Sequence, residues 1–371
     1  QLGFSSGDGI TWPRSDWGIT LRLAESKALA AAPLDAGLAT VVGGELMAQR
    51  LDFALMAQIA QRLPVGAAPR ALLAELAPQG VLSDLSARWD GPLEAPRSYR
   101  VKAQLDGLSL AAHPVAQRIG RPGLQGANVQ IEASERGGQA KLALEDGLLD
   151  LPGLFEEPLL PLKNLNATVD WRIEPVPGLP SRIELKVSDL QVLSDDLKGE
   201  FDAVWRSGRS GARLPGWLEL TGRIDKVGAT RVQRYLPELI GSQARGYVKE
   251  AVRSGEARNI TVKVKGELAD FPFDKAPARG QAQGQFRIAA QARDVNLAYV
   301  PALPGQPLAW PAMEHVDAEL LFERGSMQIR EGRAKVLGYE LAGIGGGIKD
   351  LIHRPVLELD GNGRGPAAEL L

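Results

Sequence analysis

The sequence predicts a mostly β protein: an elongated, curled antiparallel sheet with a taco-like groove, built from repeated modules that carry short helical pairs. Three observations predict it. Apolar and polar residues alternate strictly in many short segments. Gly (42) and Pro (25) are frequent among the 371 residues, which multiplies turns and favours many strands over a few long helices. Two helical stretches and the strands after them recur at a fixed spacing.

Alternation is the strongest of the three. Ile260, Val262 and Val264 alternate with Thr261, Lys263 and Lys265, and Tyr99, Val101, Ala103 and Leu105 with Arg100, Lys102 and Gln104. Val129, Ile131 and Ala133 flank Gln130 and Glu132, while Ile183, Leu185 and Val187 flank Glu184 and Lys186. Successive side chains of a strand point to opposite faces, so each segment has one apolar and one wet face. A parallel sheet covered on both sides would instead read as unbroken Val, Ile and Leu.

Three strands share a break in phase. Leu105–Leu110, Val187–Val192 and Ala292–Leu297 each read apolar, polar, Asp or Gly, apolar, polar, apolar. One extra residue with Asp or Gly beside it is what a bulge needs to keep the same face apolar while the strand bends. A curled sheet is therefore expected.

Helical spacing appears twice. Leu51, Leu55, Ile59 and Leu63 lie four apart, Pro64 interrupts, and Ala68–Leu76 resumes with good helix formers. The second pair is Val232–Leu239 and Ser242–Val252, with Pro237 between. Gly80 and Gly255 follow as stops. Glu75 and Glu250, Gly80 and Gly255, and Gly91 and Gly266 share an offset of 175, which sets Leu85, Ala87 and Trp89 on Ile260, Val262 and Val264. The expected organisation is leading strands or the end of an upstream repeat over 1–50, a first helical pair and sheet over 51–230, and a second over 231–371. Repeated supersecondary units suggest modules that each pack on the next.

Composition narrows function. With 43 basic and 45 acidic residues the formal charge is -2, and aromatics are 5%, so nothing advertises nucleic acid. Cysteine is absent, which removes disulfides and thiolate metal sites and suits an oxidising compartment. No run of about 18 apolar residues offers a membrane helix. The chain opens at Gln1, which reads as a processed or excised piece, with any membrane anchor outside it.

Catalytic motifs are weak. Gly3–Gly7 spells G-x-S-x-G around Ser5, but only two residues precede it and Gly9, Pro13 and Gly18 follow, so the strand-turn-helix context of a nucleophile elbow is missing. Gly343–Lys349 lacks the Gly-Lys-Ser/Thr ending of a phosphate loop and reads as a flexible strand connection. His113, His315 and His353 are far apart without i, i+4 partners, and Asp195 and Asp196 read as a solvated turn. No enzyme, cofactor or metal is expected. Trp89, Trp171 and Trp205 sit in or end alternating strands, as core residues or as walls of an apolar groove.

A family resemblance rests on motif order. Arg234-Tyr235-Leu236-Pro237, Ala244–Val248, Gly255, Val264–Leu268 and Phe271-Pro272-Phe273 resemble the periplasmic repeat region of YhdP-type, AsmA-like proteins. Ala77–Gly80, Arg121–Leu124, Asp150–Phe155, Tyr299–Pro301 and Trp310–Ala312 fit the same order, while Gly246-Tyr247 stands where a Trp-Leu pair is expected. The resemblance implies an inner-membrane-anchored protein of the Gram-negative periplasm that reaches toward the outer membrane, supports the envelope barrier, and moves phospholipid acyl chains along an apolar channel. Its implied partners are phospholipid, the inner membrane through a segment outside this chain, and outer-membrane or envelope proteins. The positions expected to line the groove are Leu85, Ala87, Val101, Ala103, Leu105, Val129, Ile131, Ile183, Leu185, Val187, Ile260, Val262, Val264, Phe286, Ile288, Leu320 and Phe322. The competing expectation is an envelope scaffold whose apolar faces close as an ordinary core.

Overall fold

The structure is a computed structural model and describes residues 16–23, 41–60, 67–93, 95–116, 118–208, 215–238, 240–276, 283–301 and 310–366. Ser5 and its motif lie outside the described residues. Among the described residues sixteen strands form one antiparallel sheet, and strand order follows chain order apart from one small hairpin that forms its own two-stranded sheet. The mostly β, antiparallel fold read from alternation is the one observed.

Contacts divide the chain into two compact units. The first comprises residues 1–152 and 159–185, and the second residues 153–158 and 186–371. The first contains Trp17–Leu23 (β1), Val41–Asp52 (β2), the helices Phe53–Ala60 (α1) and Ala67–Leu76 (α2), Gln79–Asp90 (β3) and Ser98–Leu110 (β4). The hairpin His113–Val115 (β5) and Arg118–Arg121 (β6) follows, then Gly123–Ser134 (β7), Gly137–Asp150 (β8) and Leu159–Val176 (β9). Leu179–Leu193 (β10) is shared between the units.

The second unit holds Leu197–Arg206 (β11), Trp217–Gly228 (β12), a 3-10 helix Ala229–Tyr235, Ser242–Ala251 (α3) and Val252–Glu267 (β13). Gln285–Leu297 (β14), Met313–Glu323 (β15), Ser326–Val336 (β16), Tyr339–Asp350 (β17) and Arg354–Arg364 (β18) complete it.

The helical stretches differ in detail from the sequence pattern. Leu51 belongs to β2, opposite Leu82 of β3. The strand ends at Asp52, whose carboxylate accepts the Leu55 N–H at 2.9 Å and so caps α1. In the second pair the first member is the 3-10 helix Ala229–Tyr235, which stops before Pro237. Gly343–Lys349 lies within β17 and is not a connection between strands.

Bulges fall where the phase breaks put them. Gly107, Asp189 and Asp294 have φ of 62°, 55° and 50°. Register shifts interrupt the β4–β7 pairing between Leu105 and Leu108, and the β14–β15 pairing between Ala292 and Val295. The left-handed N–H at each bulge is taken up by a side chain: Gly107 by Asn128 (3.0 Å), Asp189 by Asp202 (3.2 Å), Asp294 by Asp317 (3.0 Å). The expected result is that Asp294→Gly is tolerated, whereas Asp294→Val costs about 1–2 kcal/mol through the left-handed backbone, read from the denaturation midpoint.

The 175-residue offset is a repeat of backbone conformation. Gly80 and Gly255 share positive φ (121° and 104°), as do Asp84 and Asn259 (49° and 50°). A Cβ at Gly80 would sit 2.8 Å from the Asp106 carbonyl oxygen, and one at Gly255 would sit 2.6 Å from that of Asp294. Both close approaches require glycine.

Candidate functional site

Cross-strand register turns the alternating segments into continuous apolar rows. In the first unit one row runs Ile19, Leu46, Ala87, Val101, Ala133, Gly138, Trp171 across seven strands. The neighbouring rows run Leu51, Leu82, Leu105, Val129, Leu142, Ala167, and Ala103, Ile131, Ala140, Val169. In the second unit a row runs Phe201, Gly222, Val262, Ile288, Phe322, Met327, Ile348, Leu357 across eight strands. Beside it lie Ala203, Leu220, Val264 and Phe286, and also Ala290, Leu320 and Ile329.

The opposite face is charged. Lys102 meets Glu132 at 2.7 Å, Arg88 meets Glu45 at 2.8 Å, and Gln139 donates to Asp170 at 2.8 Å. In the second unit Lys265 pairs with Glu219 at 2.9 Å. Exposed pairs of this kind contribute about 0–1 kcal/mol each and serve mainly to keep this face in water. Hydrogen bonding from Arg22 holds the Asp90 carboxyl below its usual value, that from Arg258 does so for Glu256, and the Tyr99 backbone N–H does so for Glu135.

Burial divides the positions read from sequence. Leu85, Ala103, Leu105, Val129, Ile260, Val264 and Phe286 are buried. Ala87, Val101, Ile131, Ile183, Leu185, Val187, Val262, Ile288, Leu320 and Phe322 are half-buried. In the second unit the reason is visible. Val232 and Tyr235 of the 3-10 helix pack on Leu197, Val227 and Ile260. Phe273 sits with Val264 and Phe286, and Phe271 packs on that cluster, 4.9 Å from Phe286 between ring centroids. In the first unit α1 lies against β2 and β3 with Leu55 buried.

The helical segment of the second unit is fixed by polar contacts that sequence reading missed. Asp196, read as part of a solvated turn, accepts from the Tyr235 hydroxyl (3.3 Å) and from Arg234 (3.4 Å). Phe155 packs edge-on to Tyr235 at 6.4 Å, and Arg234 and Arg245 pair with Glu157 and Glu156. Burial raises the Tyr235 hydroxyl pKa, and Tyr247, in the Gly246-Tyr247 pair, donates to the Tyr299 carbonyl at 3.1 Å. The Arg-Tyr-Leu-Pro motif is thus a clamp that seats the 3-10 helix on the sheet.

His315 contacts Asp294 (2.6 Å) and His353 contacts Asp350 (3.2 Å), each at an exposed position, while His113 lies on the small hairpin. Among the described residues no three His, Asp or Glu side chains gather as a metal-ion site. No described helix is long and apolar enough to cross a membrane.

These features define a class: a β-sheet protein with a broad apolar sheet face in each unit, backed by a charged face and partly overlaid by short helices. The chain belongs to the YhdP family, whose model, described as YhdP protein, matches residues 1–371. It is 22% identical over 290 residues to a protein of Escherichia coli (strain K12) named intermembrane phospholipid transporter YhdP. That match covers 78% of this chain and 20% of the relative, so the chain spans about a fifth of the relative's length. No solved structure matches.

Proposed function

We propose that this chain is a periplasmic segment of a bridge that carries phospholipid acyl chains along the half-buried apolar rows, from an inner-membrane anchor toward the outer membrane. The observation that carries the reading is the half-buried central row of each unit: Ala87–Val101–Ala133 in the first, Val262–Ile288–Phe322 in the second, the latter beside the buried clusters around Ile260 and Phe286. A contiguous apolar strip of this kind, on a sheet whose other face is charged, supports a binding surface.

The chemistry suits acyl tails. Each CH₂ taken from water onto such a strip gains about 0.8 kcal/mol, without a directional contact. Neighbouring positions offer similar contacts, so a tail moves along a row with little change in free energy. A seven-strand row spans about 29 Å at roughly 4.8 Å per strand. That is close to the ~30 Å hydrocarbon core of a bilayer, so two tails end to end match one row. Headgroups keep their water at the open side, and no bond is made or broken. The name of the bacterial relative supports lipid as the cargo.

On this reading Ala87, Val101, Ile131, Val262, Ile288, Leu320 and Phe322 touch lipid, while Ile260, Val264 and Phe286 hold the fold. The test is a photoreactive residue at Val101 or Val262 in the full-length protein in cells. The expected product is a phospholipid adduct at both positions and none from Lys102 or Lys263 on the charged face. Protein adducts without lipid at Val101 and Val262 would overturn the proposal in favour of a closed scaffold.

A further inference from the structure

Glycine normally signals a turn or a left-handed backbone, yet three glycines within strands do neither. Gly44, Gly138 and Gly222 lie in β2, β8 and β12, and none is among the residues with positive φ. Each stands directly opposite an aromatic residue on the apolar face: Gly44 opposite Trp89, Gly138 opposite Trp171, Gly222 opposite Phe201. In each case the ring occupies the space a Cβ would need. Trp89 Cζ2 and Cη2 lie 2.5 and 2.6 Å from the Cβ position of Gly44, and Trp171 Cζ2 lies 2.5 Å from that of Gly138. At Gly222 the three nearest atoms all belong to the Phe201 ring.

The far edges of these rings therefore reach sideways over the neighbouring strand. A ring laid over a glycine fills the pleat left by the missing side chain and keeps the face low. A ring denied that space has to turn up, away from the sheet. Trp89 shows that the packing is not set by a polar tether, since its buried indole N–H has no hydrogen-bond partner. Trp205 differs: its indole N–H donates to the Pro215 carbonyl at 2.9 Å.

We infer that these glycines are positioning residues of the lipid path: they hold Trp89, Trp171 and Phe201 flat so that the apolar face stays clear for acyl chains. This rests on the lipid-carrying reading above and adds to it which residues set the clearance. The pair Phe201–Gly222 gives the cleanest test. A Cβ at Gly44 or Gly138 also crowds a backbone oxygen, of Thr20 (2.7 Å) and Glu132 respectively, whereas at Gly222 only the ring must yield.

The experiment places a photoreactive residue at Val262, beside Gly222 in the same row, in the full-length protein and measures phospholipid adducts in cells. Gly222→Val is expected to lower the adduct yield roughly tenfold, the factor of one overpacked contact, with the protein still folded. Gly222→Val with Phe201→Ala is expected to restore it. Unchanged labelling in folded Gly222→Val, or no recovery in the double variant, would overturn the inference. So would a single variant that fails to fold when the double variant folds, because the ring then has no second position and the glycine serves packing alone. Absence of lipid adducts before any glycine is changed would instead overturn the lipid-carrying reading itself.

Discussion

Val262→Asp is expected to abolish lipid occupancy of the second unit while leaving it folded. Val262 stands in the centre of the row, opposite Gly222 on one side and Ile288 on the other, and is half-buried. Water reaches a carboxylate there when the face is empty, so the folded protein accommodates it. A tail lying across it must strip that water without supplying a hydrogen bond. The penalty is about 3 kcal/mol, or roughly a hundredfold in occupancy. The neighbour Lys263 points to the charged face, opposite Arg287, so Lys263→Asp is expected to leave lipid labelling unchanged. Ile260→Asp should unfold the unit, because Ile260 is 8% exposed beneath Val232 and Tyr235. Photocrosslinking at Ile288, the cross-strand neighbour of Val262 in the same row, paired with circular dichroism and melting of each variant, checks all three. Lipid bound to Val262→Asp as before would remove this face from the path.

The second large effect is on stability. Leu144 is 1% exposed, opposite Ala127 and Leu165, and its branched end fills the space beside Gly147. Leu144→Ala is expected to cost about 2–5 kcal/mol, from lost transfer energy plus the cavity left behind. In urea that is a midpoint shift of about 1–2 M for a typical slope. Leu142 lies two residues away on the same face but is half-buried. Leu142→Ala should cost less than half as much, since less surface is returned to water. Equal effects would mean that something covers the Leu142 row as fully as it covers Leu144.

Both expectations depend on a distinction that alternation cannot make. Leu144 and Leu142, or Ile260 and Val262, are indistinguishable by period, because each pair lies on one face of one strand. What separates them is whether a segment distant in sequence lands on top. The Arg234–Tyr235 clamp decides this for Ile260, and Phe271 and Phe273 decide it for Val264 and Phe286. The sheet-on-helix contact in turn hangs on Asp196, which its neighbours Asp195 and Lys198 make look like part of a solvated turn.

The bulges show the same boundary. At Gly107, Asp189 and Asp294 a residue tolerant of the left-handed region coincides with the break in phase, so they are legible. Asp84 and Asn259 become legible once the offset aligns them. Glu331 also has a φ of 50°, and nothing in its residue type marks it, because the register with the neighbouring strand shifts there between Ile329 and Gly332.

The sequence by itself determined that the chain forms antiparallel strands with one apolar and one charged face, bent at Asp and Gly. Those properties follow from local geometry, in which side chains alternate and only some residues accept positive φ. Only the tertiary structure decided which apolar positions align into rows, which are covered, and that Gly44, Gly138 and Gly222 lie under aromatic rings. Those depend on register and on contacts between residues tens of positions apart, which no local pattern encodes.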